Sequence, residues 1–169
     1  MRNSKTARRL LVLGIAALAG ACGGSSGGPP AGGSDQAGAS ASAAAGENVL
    51  VTVYKSPTCG CCTKWVDHIR EAGFRVEVRD TPNVQPVKTE HGLPGHLASC
   101  HTALVGGYVV EGHVPADVIR RLLRERPEVA GVAVPEMPMG SPGMEGSYTD
   151  PYQVIAFGKD GRTSVYESR

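Results

Sequence analysis

Apolar residues first recur with a structural period near Asn48. The run NVLVTVY (48–54) is continuous and β-branched, is bounded by the turn segment KSPTCG, and predicts a buried strand. From Cys62 the period changes to that of a helix. Cys62, Trp65, Val66 and Ile69 share one face, Asp67, His68, Arg70 and Glu71 take the solvent side, and Gly73 supplies a C-terminal stop. FRVEVRD (74–80) alternates as a second strand, and TPNVQPVKTEHG predicts a short helix with proline breaks and His91 at its end. TALVGGYVVEG (102–112) predicts two short strands joined at Gly106 and Gly107, because a glycine pair between apolar runs supports a tight hairpin.

PADVIRRLLRER then predicts a helix with Pro115 in its first turn and Val118, Ile119, Leu122 and Leu123 as its apolar stripe; the intervening arginines read as a solvated face. After a Pro- and Gly-rich stretch (135–147), YQVIAFGKDGRTSVYE predicts a terminal hairpin turning near Asp160 and Gly161. The order strand, helix, strand, helix, strand, strand, helix is that of an α/β, thioredoxin-like three-layer fold with a C-terminal β-hairpin extension. Its first β-α-β unit is expected to be parallel by the right-handed crossover rule.

The residues before Asn48 follow a different pattern. Residues 1–21 combine a basic start (Arg2, Lys5, Arg8, Arg9) with an apolar run too short to span a bilayer and small residues before Cys22, which reads as a signal peptide. Cys22 resembles the lipidated cysteine of a bacterial lipobox, although Ala19 stands where Leu, Val or Ile is usual. Ordinary cleavage after Ala19 or Ala21 is the alternative. Residues 22–46 hold the lipidation site and a flexible Gly/Ala/Ser linker, and residues 47–169 form the thioredoxin-like metal-binding domain, with a Met-rich loop at 134–147 and the terminal hairpin at 148–169. Loss of the leader removes four basic residues and leaves 13 Lys and Arg against 16 Asp and Glu, so the exported chain has no basic surface for nucleic acid. Expected partners are cations or other proteins, with the membrane reached through a lipid anchor. The expected location is the periplasm or cell envelope.

Five cysteines are too few for a disulfide scaffold, and their clustering points to a site. Cys59, Cys61 and Cys62 sit where a strand end meets a helix start, whose free N–H groups and dipole favour thiolates. A third cysteine beside a Cys-x-x-Cys pair would compete by forming a wrong bridge, so Cys61 argues for metal; adjacent thiolates can bridge more than one Cu(I) ion. GLPGHLASCH brings His96, Cys100 and His101 before the third strand, where thioredoxins carry a cis-proline and this chain has potential ligands. His113 precedes the last helix and reads equally as ligand or structural residue. Met137, Met139 and Met144 are the only methionines beyond the leader, and thioethers suit Cu(I).

VTVYKSPTCGCCTKWVDHI, LPGHLASCHTALVGGYVVEGHVPADVI and the YQVIAF hairpin together resemble the domain-of-unknown-function 411 family, over roughly residues 48–166. That group includes CopG-like copper-resistance proteins of bacterial envelopes. The resemblance implies a thioredoxin-like fold, copper (Cu(I)/Cu(II)) binding and copper handling that extends to redox chemistry on the metal. It carries Cys59, Cys61, Cys62 and Cys100 over as the central thiols, with the Met loop and His113 behind them. Two other readings stand beside it: a thiol-disulfide oxidoreductase in which Cys59 attacks and Cys62 resolves, and a Zn(II) site.

Overall fold

The computed structural model describes residues 48–169. The expected signal peptide, lipidation site and linker lie outside the described residues. Within them, one sheet of seven strands runs in the order β2-β1-β3-β4-β5-β6-β7. The strands are β1 (Leu50–Lys55), β2 (Arg75–Asp80), β3 (Thr102–Val105), β4 (Tyr108–Glu111), β5 (Gly131–Ala133), β6 (Gln153–Phe157) and β7 (Thr163–Ser168). Three α-helices accompany them: α1 (Gly60–Glu71), α2 (Gln85–Glu90) and α3 (Ala116–Glu125), with a single 3-10 turn at Gly95–Leu97. None of these helices is long and apolar enough to cross a membrane.

β1 and β2 pair in parallel, as the crossover through α1 requires, while β1–β3 and β3–β4 are antiparallel. Gly106 and Gly107 both take positive φ (56° and 91°), as a two-residue hairpin turn demands. Strand alternation divides the side chains between two cores. Ala103, Val105, Val110, Val132, Val154 and Ala156 face the core that receives Trp65, Val66 and Ile69 of α1 and Val118, Ile119 and Leu122 of α3. Leu104, Val109, Ala133 and Phe157 face a smaller core closed by Leu93 and Leu97. The sheet thus carries apolar packing on both faces.

Three details depart from the sequence reading. β5 is an unpredicted strand, only three residues long, that pairs in parallel with β4 and antiparallel with β6. Through it the terminal hairpin joins the main sheet. His68 is half-buried rather than solvent-facing, and its Nε2 accepts the Ala116 N–H at 3.1 Å, capping α3, a helix whose N-cap residue Pro115 offers no side-chain acceptor. Burial lowers its pKa, in keeping with a neutral acceptor, while Glu145 and Asp117 pull the other way. The arginine face of α3 is only partly solvated, since Arg120 donates to the Ala72 carbonyl at the end of α1 and lies over the Phe74 ring.

Gly131 owes its identity to close backbone approach: a Cβ there would collide with the Val109 carbonyl oxygen. Gly131→Ala is therefore expected to cost about 1–3 kcal/mol through forced separation of β4 and β5. Gly95→Ala meets nothing within 4 Å and should be neutral or slightly stabilising. Urea unfolding of the two variants checks the contrast, and equal midpoints would refute it.

Candidate metal centre

The site begins where β1 ends. Cys59 donates its N–H to the Ser56 carbonyl (3.2 Å), and its own Sγ accepts the N–H of Cys62 (3.4 Å), so a sulfur occupies the capping position of α1. Cys59 and Cys62 form a disulfide, and Cys61 and Cys100 are free thiols. Cys61 Sγ lies 3.5 Å from Cys59 Sγ. Cys100, delivered by the loop before β3, brings the fourth sulfur, and all four lie within 4.8 Å of one another. Convergence of residue 100 with residues 59–62, on which the sequence reading depended, is present.

Two imidazoles extend the cluster from Cys100. Its Sγ is 3.1 Å from His113 Nε2 and 3.5 Å from His101 Nδ1, and the three residues form a second potential ligand group sharing the Cys100 sulfur. His113 Nδ1 sits 2.7 Å from the Pro142 carbonyl oxygen. A carbonyl can only accept, so Nδ1 carries the proton and the Nε2 lone pair faces the thiol. His101 is fully buried, with its ring centroid 4.4 Å from that of Trp65, and its Nε2 has no hydrogen-bond partner among the described residues. Burial, reinforced by neighbouring His113 and Lys88, holds the His101 pKa well below the ordinary value, and burial lowers that of His113 too. Both imidazoles are thus neutral near pH 7, the form that ligates metal.

Behind Cys100 lies a buried polar network that the sequence reading missed. Glu111, at the end of β4, is fully buried, pairs with Lys88 of α2, and accepts the Ser99 N–H (2.6 Å) and the Thr102 hydroxyl (2.7 Å). Lys88 also donates to Thr102 Oγ1 at 3.0 Å. The available signal was a carboxylate inside the apolar run YVVEG, which a buried strand admits only with partners.

The Met-rich segment crosses the site as a strap. A Cβ on Gly143 would lie 2.7 Å from the Cys61 carbonyl oxygen and 2.9 Å from the Trp65 nitrogen, so the strap rests directly on the start of α1. Ser141 is fully buried, and Met144, beside Gly143, is half-buried like Met139. Met137 is 49% exposed and borders a groove with Pro135, Glu136, Asp150 and Tyr152. His96 is exposed on the 3-10 turn, and His91 closes α2.

Four clustered sulfurs and two neutral imidazoles make a donor set suited to a thiophilic ion once the disulfide is reduced. A family model described as "Protein of unknown function, DUF411" matches residues 97–144, the stretch containing Cys100, both imidazoles and the strap. Two solved structures titled copper resistance protein copG resemble the chain over nearly their whole length. Form 2 shares 42% identity at a TM-score of 0.69, covering 73% of this chain and 99% of its own. Form 1 shares 42% identity at a TM-score of 0.67, covering 71% and 96%. No curated protein sequence matches.

Gly143→Ala tests the strap. With φ at +87° and no room for a methyl group, it is expected to cost about 1–3 kcal/mol and to release His113 from the Pro142 carbonyl. Nitrogen-15 spectra of the imidazoles should then show a tautomer mixture at His113 in place of a single Nδ1–H form. An unchanged spectrum would show that the strap does not orient this ring.

Proposed function

The chain belongs to the DUF411, CopG-like family, and from that premise we propose that it binds copper in the bacterial cell envelope, serving copper resistance or homeostasis. The observation that carries this reading is the meeting of four sulfurs within 4.8 Å, because adjacent thiolates are the donors that favour Cu(I) over harder ions. Cys59, Cys61, Cys62 and Cys100 hold the ion or ions, and His101 and His113 contribute nitrogen donors at the Cys100 side. Met137, Met139 and Met144 supply thioethers on the strap, nearer the surface. The scaffold reads as thioredoxin-like, a reading supported by the strand order β2-β1-β3-β4 and by cysteines at the start of α1. Residues 1–21 direct export, and Cys22 tethers the protein through a lipid. A copper-export or redox protein of the envelope takes the metal or its electrons.

The disulfide gives the site two states. Two electrons and two protons convert Cys59–Cys62 into two thiols and raise the number available for metal from two to four. Copper held by these sulfurs would be able to change oxidation state alongside the thiol–disulfide couple, which is the redox activity proposed for the protein. The same disulfide favours a second reading, a thiol-disulfide oxidoreductase using Cys59 and Cys62 without metal.

Metal analysis of anaerobically reduced protein separates the two. Cys61→Ser is expected to lower the bound copper markedly if the cluster holds the metal, and to leave disulfide exchange nearly intact if exchange is the activity. Absence of copper above a thiol-free control in the wild type would overturn the copper reading.

Proton competition provides a further check. Burial, with Cys61 close by, pushes the Cys100 thiol up to about 11, so it is protonated at neutral pH and must release its proton to bind. Raising pH toward that value weakens the competition, so apparent Cu(I) affinity should rise, by about tenfold per pH unit for this thiol alone. Competitor titrations across the neutral range measure the slope, and the increment should vanish in Cys100→Ser.

A further inference from the structure

We propose that the buried Lys88–Glu111 pair is a positioning device for Cys100, acting through the backbone of Ser99. For its metal arm the inference rests on the copper reading above; for its geometry it does not. Ser99 lies in the loop before β3, where its N–H has no ladder partner, and it donates instead to Glu111 Oε1 at 2.6 Å. The other oxygen of Glu111 takes the Thr102 hydroxyl at 2.7 Å, so one carboxylate grips the chain on both sides of Cys100 and His101.

Lys88 reaches the same carboxylate from α2 and bonds Thr102 Oγ1 as well, fixing the direction in which Glu111 presents its oxygens. Two further contacts leave the loop little freedom. Gly112, with φ at +70°, lets β4 approach so closely that a Cβ would stand 2.7 Å from the Ser99 Cβ, and the Ser99 hydroxyl donates to the Glu136 carbonyl at the root of the strap.

A buried ion pair is a poor device for stability alone, because a well-packed apolar pair of the same volume commonly does as well or better. An apolar pair cannot accept an N–H. The carboxylate at residue 111 is explained by what it holds, namely the residue preceding the sulfur shared by the two ligand groups.

The test uses the full chain, with Cys59–Cys62 closed, and two variants: Lys88→Met combined with Glu111→Leu, which leaves no side-chain acceptor for the Ser99 N–H, and Glu111→Asp, which keeps the charge but shortens the reach. Phe157→Leu, in the smaller core, serves as a control for lost stability alone. Cross-linking of Cys61 to Cys100 by dibromobimane, identified by peptide mass spectrometry, reads sulfur proximity without metal; competitor titration of reduced protein reads Cu(I) affinity. Both variants are expected to cross-link several-fold more slowly and to bind Cu(I) about tenfold more weakly, in line with loss of support around a metal ligand. Phe157→Leu should alter neither. Wild-type cross-linking in a folded variant would overturn the proposal. If the double variant does not fold, Glu111→Asp decides by the same readouts. If the wild type takes up no copper, the copper reading fails while cross-linking still decides the positioning role.

Discussion

Antiparallel pairing of β1 with β3 places Tyr54 opposite Thr102, and the chemistry of this protein depends on that register. The chain leaves β1 toward Cys59 and enters β3 from Cys100, so an antiparallel pair brings an exit and an entrance to the same end of the sheet. A parallel pair would put them at opposite ends. With the register set, four sulfurs separated by up to 41 positions in sequence meet within 4.8 Å.

The surroundings of that meeting point are arranged for neutral, soft donors. The helix start offers the Cys62 N–H to the Cys59 sulfur, and the two imidazoles are held neutral by burial, with the His113 proton on the nitrogen facing away from the thiol. Charge is kept one layer back, where Lys88 and Glu111 neutralise each other and spend their hydrogen bonds on the loop that carries Cys100.

The second half of the sheet anchors the strap. Residues leaving β5 are tied to β4 by the Val134 N–H on the Glu111 carbonyl (3.0 Å), and the chain returning to β6 is held by reciprocal bonds between Tyr152 and Arg169 (3.0 and 2.8 Å). A segment rich in Pro and Gly has little intrinsic preference for one conformation. Fixed ends and close packing of Gly143 on α1 give it one.

The local patterns belonged to the sequence itself. Apolar period, the glycine pair at 106 and 107, and three cysteines in four residues are patterns among near neighbours, so most of the strands, the helices and the gathering of cysteines at a helix start could be read from them directly. β5 escaped because three residues carry too little period, and His68 because its partner, the Ala116 N–H, is 48 positions away. Lys88, Glu111 and the Pro142 carbonyl acquired their roles only in the folded chain. A buried polar group is defined by what surrounds it, and those neighbours come from distant segments that only the assembled sheet brings together.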